Sequence, residues 1–229
     1  MNKVEDRAPT RRRILDAAVL LFDTEGVRGA TVDRIAATAG ITKRTLYYHF
    51  RSKDDLIAAA LEDRESLRDG VFDTILDRVE LDAAQFVAAA FEEIAARARD
   101  IRWKGCAFTR AAAELAGLPG HPGVAAARRY KKEIERGLFE RLTRDGMKQA
   151  DTLARRLVIL LEGAIMHGIV HHEPDYALEA GRAAQELIER AQVGSIALTT
   201  LLAPALAQPA RRRLCPLSDE KDATCTLRR

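Results

Sequence analysis

Aromatic side chains are scarce in this chain: phenylalanine, tyrosine and tryptophan together make up 5% of its 229 residues. A composition so poor in large planar groups, in which Ala, Leu and Arg recur throughout, favours helix over sheet. No stretch alternates apolar and polar residues between hairpin turns, and no fixed-period repeat is visible. The fold class expected is therefore all-α. Cysteine is nearly absent too, with Cys106, Cys215 and Cys225 the three copies. An odd, sparse set excludes a disulfide framework and suits a reducing, cytoplasmic compartment. Cys215 and Cys225 stand too far apart for a zinc knuckle and have no nearby histidine.

Long apolar runs are missing as well. The best candidate, Ile196 to Ala207, carries two threonines and a proline and is too short to cross a bilayer. Charge begins at Lys3, so no signal peptide is visible. No membrane partner is expected. The chain also lacks a glycine-rich phosphate loop, a nucleophile elbow and a metal-ligand constellation, so neither an enzyme nor a bound cofactor is expected.

The net charge of +3 is unevenly spread. Residues 1–60 hold eleven Lys and Arg against eight Asp and Glu, residues 61–207 twenty against twenty-three, and residues 208–229 six against three. A basic head on a mildly acidic body fits a protein that meets a polyanion with one end.

Helical periodicity divides the chain into segments. The first helix is expected over Arg11–Glu25, capped by Thr10 and stopped at Gly26. A short helix follows Thr31, and another runs from Thr42 to about His49. Ser52 opens a fourth, with Asp55 as capping-box partner, continuing to about Arg78. Further helices are expected over Asp82–Arg99, Phe108–Leu115, the stretch from Gly123 to Asp145, Asp151–His172 and Pro174–Ala191. The run Gly117 to Gly123 is a break. The pattern decays after Gly194, and Pro209–Arg229, with Arg211, Arg212 and Arg213, is expected to be loosely attached. The division expected is a head over residues 1–55, a body over 56–194 and a tail over 195–229.

The head carries the chemistry. Thr31–Phe50 reads as two short capped helices joined at Ala39-Gly40-Ile41, where Gly40 supplies left-handed backbone. Ile35, Ala36, Ile41, Leu46 and Phe50 close a small core. This is a helix-turn-helix pattern. The second helix presents Thr42, Lys43, Arg44, Thr45, Tyr47, Tyr48 and His49 within two turns. Hydroxyls and cations at a helix N-terminus suit phosphate oxygens, and Lys43 or Arg44 can reach guanine edges. Lys53 is placed to grip the flanking backbone.

Arg13-Ile14-Leu15-Asp16-Ala17-Ala18, Leu21-Phe22, Gly26, Thr31, Ile35-Ala36, Ala39-Gly40, Thr45-Leu46-Tyr47-Tyr48-His49-Phe50 and Ser52-Lys53-Asp54-Asp55-Leu56 together resemble TetR-type transcriptional regulators over residues 11–61. Residues 105–190 resemble a C-terminal domain of some of these proteins through Gly105-Cys106, Ala111-Ala112-Ala113-Glu114 and His121-Pro122. The resemblance implies an omega-shaped homodimer whose last two main helices pair into a four-helix bundle, with an inducer pocket among the middle helices. It also implies DNA contacts from Thr31, Lys43, Arg44, Thr45, Tyr47, Tyr48, His49 and Lys53. Many relatives carry a small residue where this chain has Arg44, so the operator does not follow from the likeness.

Elsewhere the candidates are apolar. Phe86, Phe91, Trp103, Cys106, Phe108, Thr109, Met166 and His167 are expected pocket residues, with Glu114 as an inward polar handle. Leu157, Leu161 and Ile165, with Gly168 and Gly181, are expected at a dimer interface. His167 and His171 have metal-compatible spacing but no visible third ligand, so no metal is expected. Cys106 reads either as a small buried residue or as a redox-sensitive thiol. The function expected is a homodimeric repressor released from a palindromic double-stranded operator by a small apolar or amphipathic inducer. An activator or a ligand-independent DNA-binding protein is the alternative in the same class, and an enzyme with an accessory DNA-binding domain is the rival from another class.

Overall fold

Pro9 opens the first helix, α1 (Thr10–Gly29), because its carbonyl accepts the N–H groups of Arg12 and Arg13 at 2.8 and 3.2 Å. Thr10, expected as the cap, lies inside the helix and makes no cap bond. A residue without an N–H of its own loses nothing at that entrance. Gly26 interrupts the helix after Glu25, and a single further turn follows. It takes φ +79° and ψ 163° and kinks the helix, which resumes to Gly29. Only glycine adopts that backbone region without strain.

This computed structural model describes residues 9–67 and 80–202, with side chains over 9–64 and 80–192. Nine helices and no strand occur among the described residues. After α1 come α2 (Val32–Thr38), α3 (Lys43–His49), α4 (Lys53–Leu67), α5 (Ala83–Ala98), α6 (Ala107–Leu115), α7 (Pro122–Arg144), α8 (Ala150–His171) and α9 (Asp175–Leu202). The expected continuation of α4 to Arg78 and the tail from Pro209 lie outside the described residues. The last helix runs beyond Gly194, where periodicity fades, to Leu202.

Local chemistry sets the helix starts. Asp82 and Gln85 form a reciprocal capping box for α5, each side chain accepting the other's backbone N–H. Pro122 sits in the first turn of α7, behind His121, whose Nδ1 accepts the Gly123 N–H at 3.0 Å. Ser52 accepts the N–H of Asp55 at 3.0 Å and so starts α4.

Two helices join head to body. α4 packs on both α1 and α7, and α6 packs on both α7 and α1. α8 lies against α5 and α7. Met1–Ser195 form one compact unit, and a second begins at Ile196, within α9.

The body's core contains Phe86, Phe91, Ile94, Ile134, Leu138, Leu157 and Leu161, all but removed from solvent. Each such side chain stabilises the fold by about 1.5–3 kcal/mol. Here the dimer expectation needs correction. Leu157, Leu161 and Ile165 are at most 1% exposed within a single chain. A Cβ on Gly168 would stand 2.8 Å from Trp103 and 3.3 Å from Ala98, and one on Gly181 would stand 3.0 Å from Phe91. These five positions let α8 and α9 close onto α5 and its following loop, which is what the most apolar face of a helix does first. The outward stripe of α8 is different: Ile159, Met166 and Val170 are exposed, and beside Gly163 there is open space.

Candidate functional site

The turn between α2 and α3 is built from the backbone outward. The Gly40 N–H bonds the Ala37 carbonyl and the Ile41 N–H bonds the Ala36 carbonyl, both at 3.0 Å. That pair of bonds is a Schellman closure, which needs the left-handed φ of +64° that Gly40 adopts. Arg13 of α1 clamps the turn, its Nη2 donating to the carbonyls of Ala39 and, at 3.1 Å, Gly40. A Cβ at Gly40 would come within 2.9 Å of that guanidinium. Sequence reading missed this use of Arg13, which has no local signal because its partners lie on another helix pair.

Both short helices are capped by threonine. Thr31 Oγ1 accepts the Arg34 N–H at 3.3 Å, and Thr42 Oγ1 accepts the Thr45 N–H at 3.1 Å. Thr42 and Thr45 also share a hydroxyl–hydroxyl bond of 2.9 Å. Such a cap contributes about 1 kcal/mol. Ile35 and Leu46 have no solvent exposure and Phe50 almost none, so α3 is pinned on its inner side.

The outer side of α3 is the face expected to read DNA. Lys43 and Arg44 are exposed, Tyr48 is 86% exposed and Tyr47 about half so. His49 sits edge-on to Tyr48 with ring centres 5.2 Å apart. Lys43 is pinned at 3.1 Å to Asp33, which holds its stem along the surface between α2 and α3. Thr31 caps α2, and Thr42 and Thr45 stand at the start of α3 beside Lys43 and Arg44. Lys53 is set back from them: its Nζ donates to the Arg28 carbonyl at 3.1 Å. Burial pushes its ammonium below the usual lysine range, against the opposing pull of Asp54 and Glu114. A row of exposed cations, hydroxyls and tyrosines on a helix held rigidly from behind is suited to phosphate oxygens and groove edges.

A cavity of about 540 Å³ lies where α1 and α4 meet the loop before α6, and its wall includes Trp103, Gly105, Cys106, Ala107 and Phe108. Asp23, Arg64, Arg97, Arg102, Lys104 and Arg110 line it too. Asp23 accepts from both Arg64 (3.0 and 2.5 Å) and Arg110 (2.8 Å), so one carboxylate bridges α1, α4 and α6. The sequence expectation thus has Trp103, Cys106 and Phe108 on the cavity wall. Phe86 and Phe91 are not there. Phe86 is buried beneath the guanidinium of Arg141, 4.4 Å from its ring, and Phe91 packs against Gly181. Met166 and His167 face away from the cavity on the exposed side of α8, where His167 and His171 stack with Tyr176.

Thr109 and Glu114 have partners the sequence did not suggest. Thr109 Oγ1 donates to Glu162 at 2.8 Å, and Glu162 pairs with Lys131, whose Nζ also lies 3.2 Å from Cys106 Sγ. Burial works against the Lys131 charge, but Cys106 and Glu162 outweigh it and raise the ammonium above its ordinary value. Glu114 does not point into the cavity. Its Oε2 accepts the Arg28 N–H at 2.9 Å, capping the short piece of α1 that follows the Gly26 kink. α6 consequently has one end on the cavity wall, at Cys106, and the other on the DNA head.

No described helix is long and apolar enough to cross a membrane. Residues 14–60 match the family model described as "Bacterial regulatory proteins, tetR family". The HTH-type transcriptional regulator SrpR of Pseudomonas putida is 45% identical over 56 residues, which are 24% of this chain and 26% of that protein, so the match spans about a quarter of that relative's length. The likeness of the whole is carried by solved structures. SCO4454, a TetR-family transcriptional regulator from Streptomyces coelicolor, is 30% identical, with a TM-score of 0.67 over 80% of this chain and 95% of its own. A putative TetR-type regulator (sav143) from Streptomyces avermitilis is 26% identical, with a TM-score of 0.72 over 81% of this chain and 99% of its own. With its helix-turn-helix matched by the family model and its body by these structures, the chain belongs to the TetR family of DNA-binding transcriptional regulators.

Proposed function

We propose that this regulator is a homodimeric repressor that leaves a palindromic operator when a small molecule occupies the cavity beside Cys106. The observation that carries this reading is the path of α6. Its first residues border the cavity, and its last turn holds Glu114 against the kink of α1. A ligand that favours another position of α6 disturbs the cap on Arg28, and Arg28 in turn holds Lys53 at the start of α4. Ligand binding shifts an equilibrium only through such differential contacts. The ligand is a small apolar or amphipathic molecule seated against Trp103.

The DNA contacts proposed are Thr31, Thr42, Lys43, Arg44, Thr45, Tyr47, Tyr48 and His49, with Lys53 on the flanking backbone. The head comprises residues 1–55 and the body follows from 56. The dimer forms through the outward stripe Ile159, Gly163, Met166 and Val170, whose spacing of four, three and four places them on one face of α8. An apolar stripe with a glycine at its centre permits close helix approach, and a two-fold dimer presents two heads to paired half-sites. The cytoplasm is the compartment this function requires.

The test begins with selection of a duplex from a random pool by the full-length protein. Footprinting on the selected duplex is expected to protect two symmetric half-sites, with an affinity that falls steeply as salt rises. Protection of one half-site by a monomer would overturn the dimeric reading.

A further inference from the structure

Two cations reach backbone carbonyls just before the break in α1. In an unbroken helix the Arg28 N–H would bond the Thr24 carbonyl. Gly26 parts them: Glu114 takes the N–H at 2.9 Å, and Lys104 Nζ donates to the carbonyl at 3.2 Å. The preceding carbonyl, that of Asp23, accepts from Arg110 Nη1 at 3.3 Å. Lys104 and Arg110 thus stand at successive carbonyls of one helix end, where partial negative charge gathers. Both line the cavity of about 540 Å³, as do Arg64, Arg97 and Arg102, and Asp23 is the one carboxylate among its described lining residues. Arg97 and Arg102 have carboxylates of their own in Glu93 and Asp100. Arg110 shares Asp23 with Arg64, and its Nε, removed from solvent, has no acceptor among the described residues. Lys104, which is exposed, has the Thr24 carbonyl and no carboxylate among them. A carbonyl oxygen offers an ammonium a partial charge where a carboxylate offers a full one, so an incoming carboxylate is the stronger partner.

We infer that the molecule this cavity takes is an organic anion with an apolar body, a monocarboxylate in its simplest form. Its head replaces the Thr24 carbonyl as acceptor for Lys104 and draws on Arg110, and its body lies against Trp103. This deepens the reading of the cavity as the effector site and rests on it. A cationic ligand would meet five cationic side chains and one carboxylate on the cavity wall. A neutral ligand gives Lys104 no reason to leave Thr24. The exchange also reaches the DNA head. Once Lys104 turns to the anion, the Thr24 carbonyl loses its cation, and the end of α1 is altered next to the turn whose Arg28 carbonyl anchors Lys53. Such a contact, different with and without the ligand, is what coupling between two sites requires.

Trp103 is the chain's one tryptophan, so its emission reports on the cavity directly. The experiment titrates the full chain, without DNA, with three probes that share one body: phenylbutyrate, phenylbutanol and phenylbutylamine, each with its ring at the far end of the carbon chain. The carboxylate is expected to change the emission saturably and to bind at least about tenfold more tightly than the alcohol, with the amine weakest. Lys104→Met should weaken the carboxylate by about tenfold and leave the alcohol unchanged, and Lys104→Arg should restore the carboxylate, which mere packing would not do. Thermal melts of each variant establish that it is folded. Equal affinity for carboxylate and alcohol, a preference for the amine, an equal loss of both in Lys104→Met, or no saturable change with any probe would overturn the inference. The effector reading fails separately: a protein that selects the carboxylate here, yet holds its selected duplex undiminished at saturating carboxylate, refutes that reading and leaves the anion site standing.

Discussion

His121 and Asp54 meet where the body touches the DNA head: Nε2 of the imidazole lies 3.2 Å from Oδ1 of the carboxylate, with the His121 side chain only 3% exposed. Nδ1 accepts the Gly123 N–H, so Nε2 is the nitrogen turned to Asp54, close to its carboxylate but without a hydrogen bond to it. The start of α7 is thereby fastened to the start of α4. We expect His121→Ala to lower unfolding free energy by about 1–3 kcal/mol, the cost of stranding buried polar groups. Asp54→Ala should cost less, since that side chain is exposed. Urea unfolding of both variants checks the order, and an equal loss would mean that the pair acts only through its direct contact.

Gly123 beside it allows the close approach of α7 to α4. A Cβ there would stand 2.9 Å from Ile57 and 3.1 Å from Leu115. Gly123→Ala is expected to destabilise the fold by about 1–3 kcal/mol through overpacking. A melting temperature equal to that of the parent protein would show that the two helices separate freely.

On α3, Tyr48→Ala should weaken binding to every duplex while leaving the melting temperature unchanged, because this side chain is almost fully exposed. Arg44→Ala should also relax sequence preference, by about 1–3 kcal/mol at one base pair if it reads guanine. Binding measured on the selected duplex and on single-base variants separates the two. A uniform loss for Arg44→Ala would assign it to phosphate.

The two faces of α8 give a paired prediction. Met166→Asp places a charge on the exposed stripe and should yield a folded monomer with weak DNA binding. Ile165→Asp buries an unpaired charge in the core and should unfold the body instead. Sedimentation and circular dichroism on both variants decide the matter. A Met166→Asp protein that remains dimeric would move the interface off this stripe.

Glu114→Gln keeps an acceptor for the Arg28 N–H, whereas Glu114→Ala removes it. The first should retain DNA affinity and the second should lose stability by about 0.5–2 kcal/mol, the range for a lost helix cap. Denaturant midpoints and gel shifts on both variants test whether Glu114 works as a cap.

Periodicity and caps were legible in the sequence wherever the cause was local. Gly40, Thr31, Thr42 and Ser52 each act within a few residues of themselves, and the structure has them as sequence reading does. What was hidden depends on partners far along the chain. Lys131, Glu162, Thr109 and Cys106 come from three helices and a loop end, and no spacing rule joins them. Gly26 does break α1 as its sequence suggests, but the turn beyond it is too short to show a period and is held by a cap from α6. The residues expected at a dimer interface lie on the most apolar face of α8. That face is claimed by the chain's own core, and the weaker stripe around Gly163 is the one left facing outward.

The joint in α1 also bears on how this sequence can drift. At Gly26 the backbone admits glycine alone, and an added Cβ would stand 2.6 Å from a Glu114 carboxylate oxygen. Neither obstacle is relieved by removing the other. Position 26 is therefore frozen by geometry, while position 114 is held by chemistry, to side chains long enough to reach the Arg28 N–H and able to accept from it. Relatives that keep the kink should carry glycine with glutamate or glutamine at these two places, and a lineage that straightens α1 should lose both together.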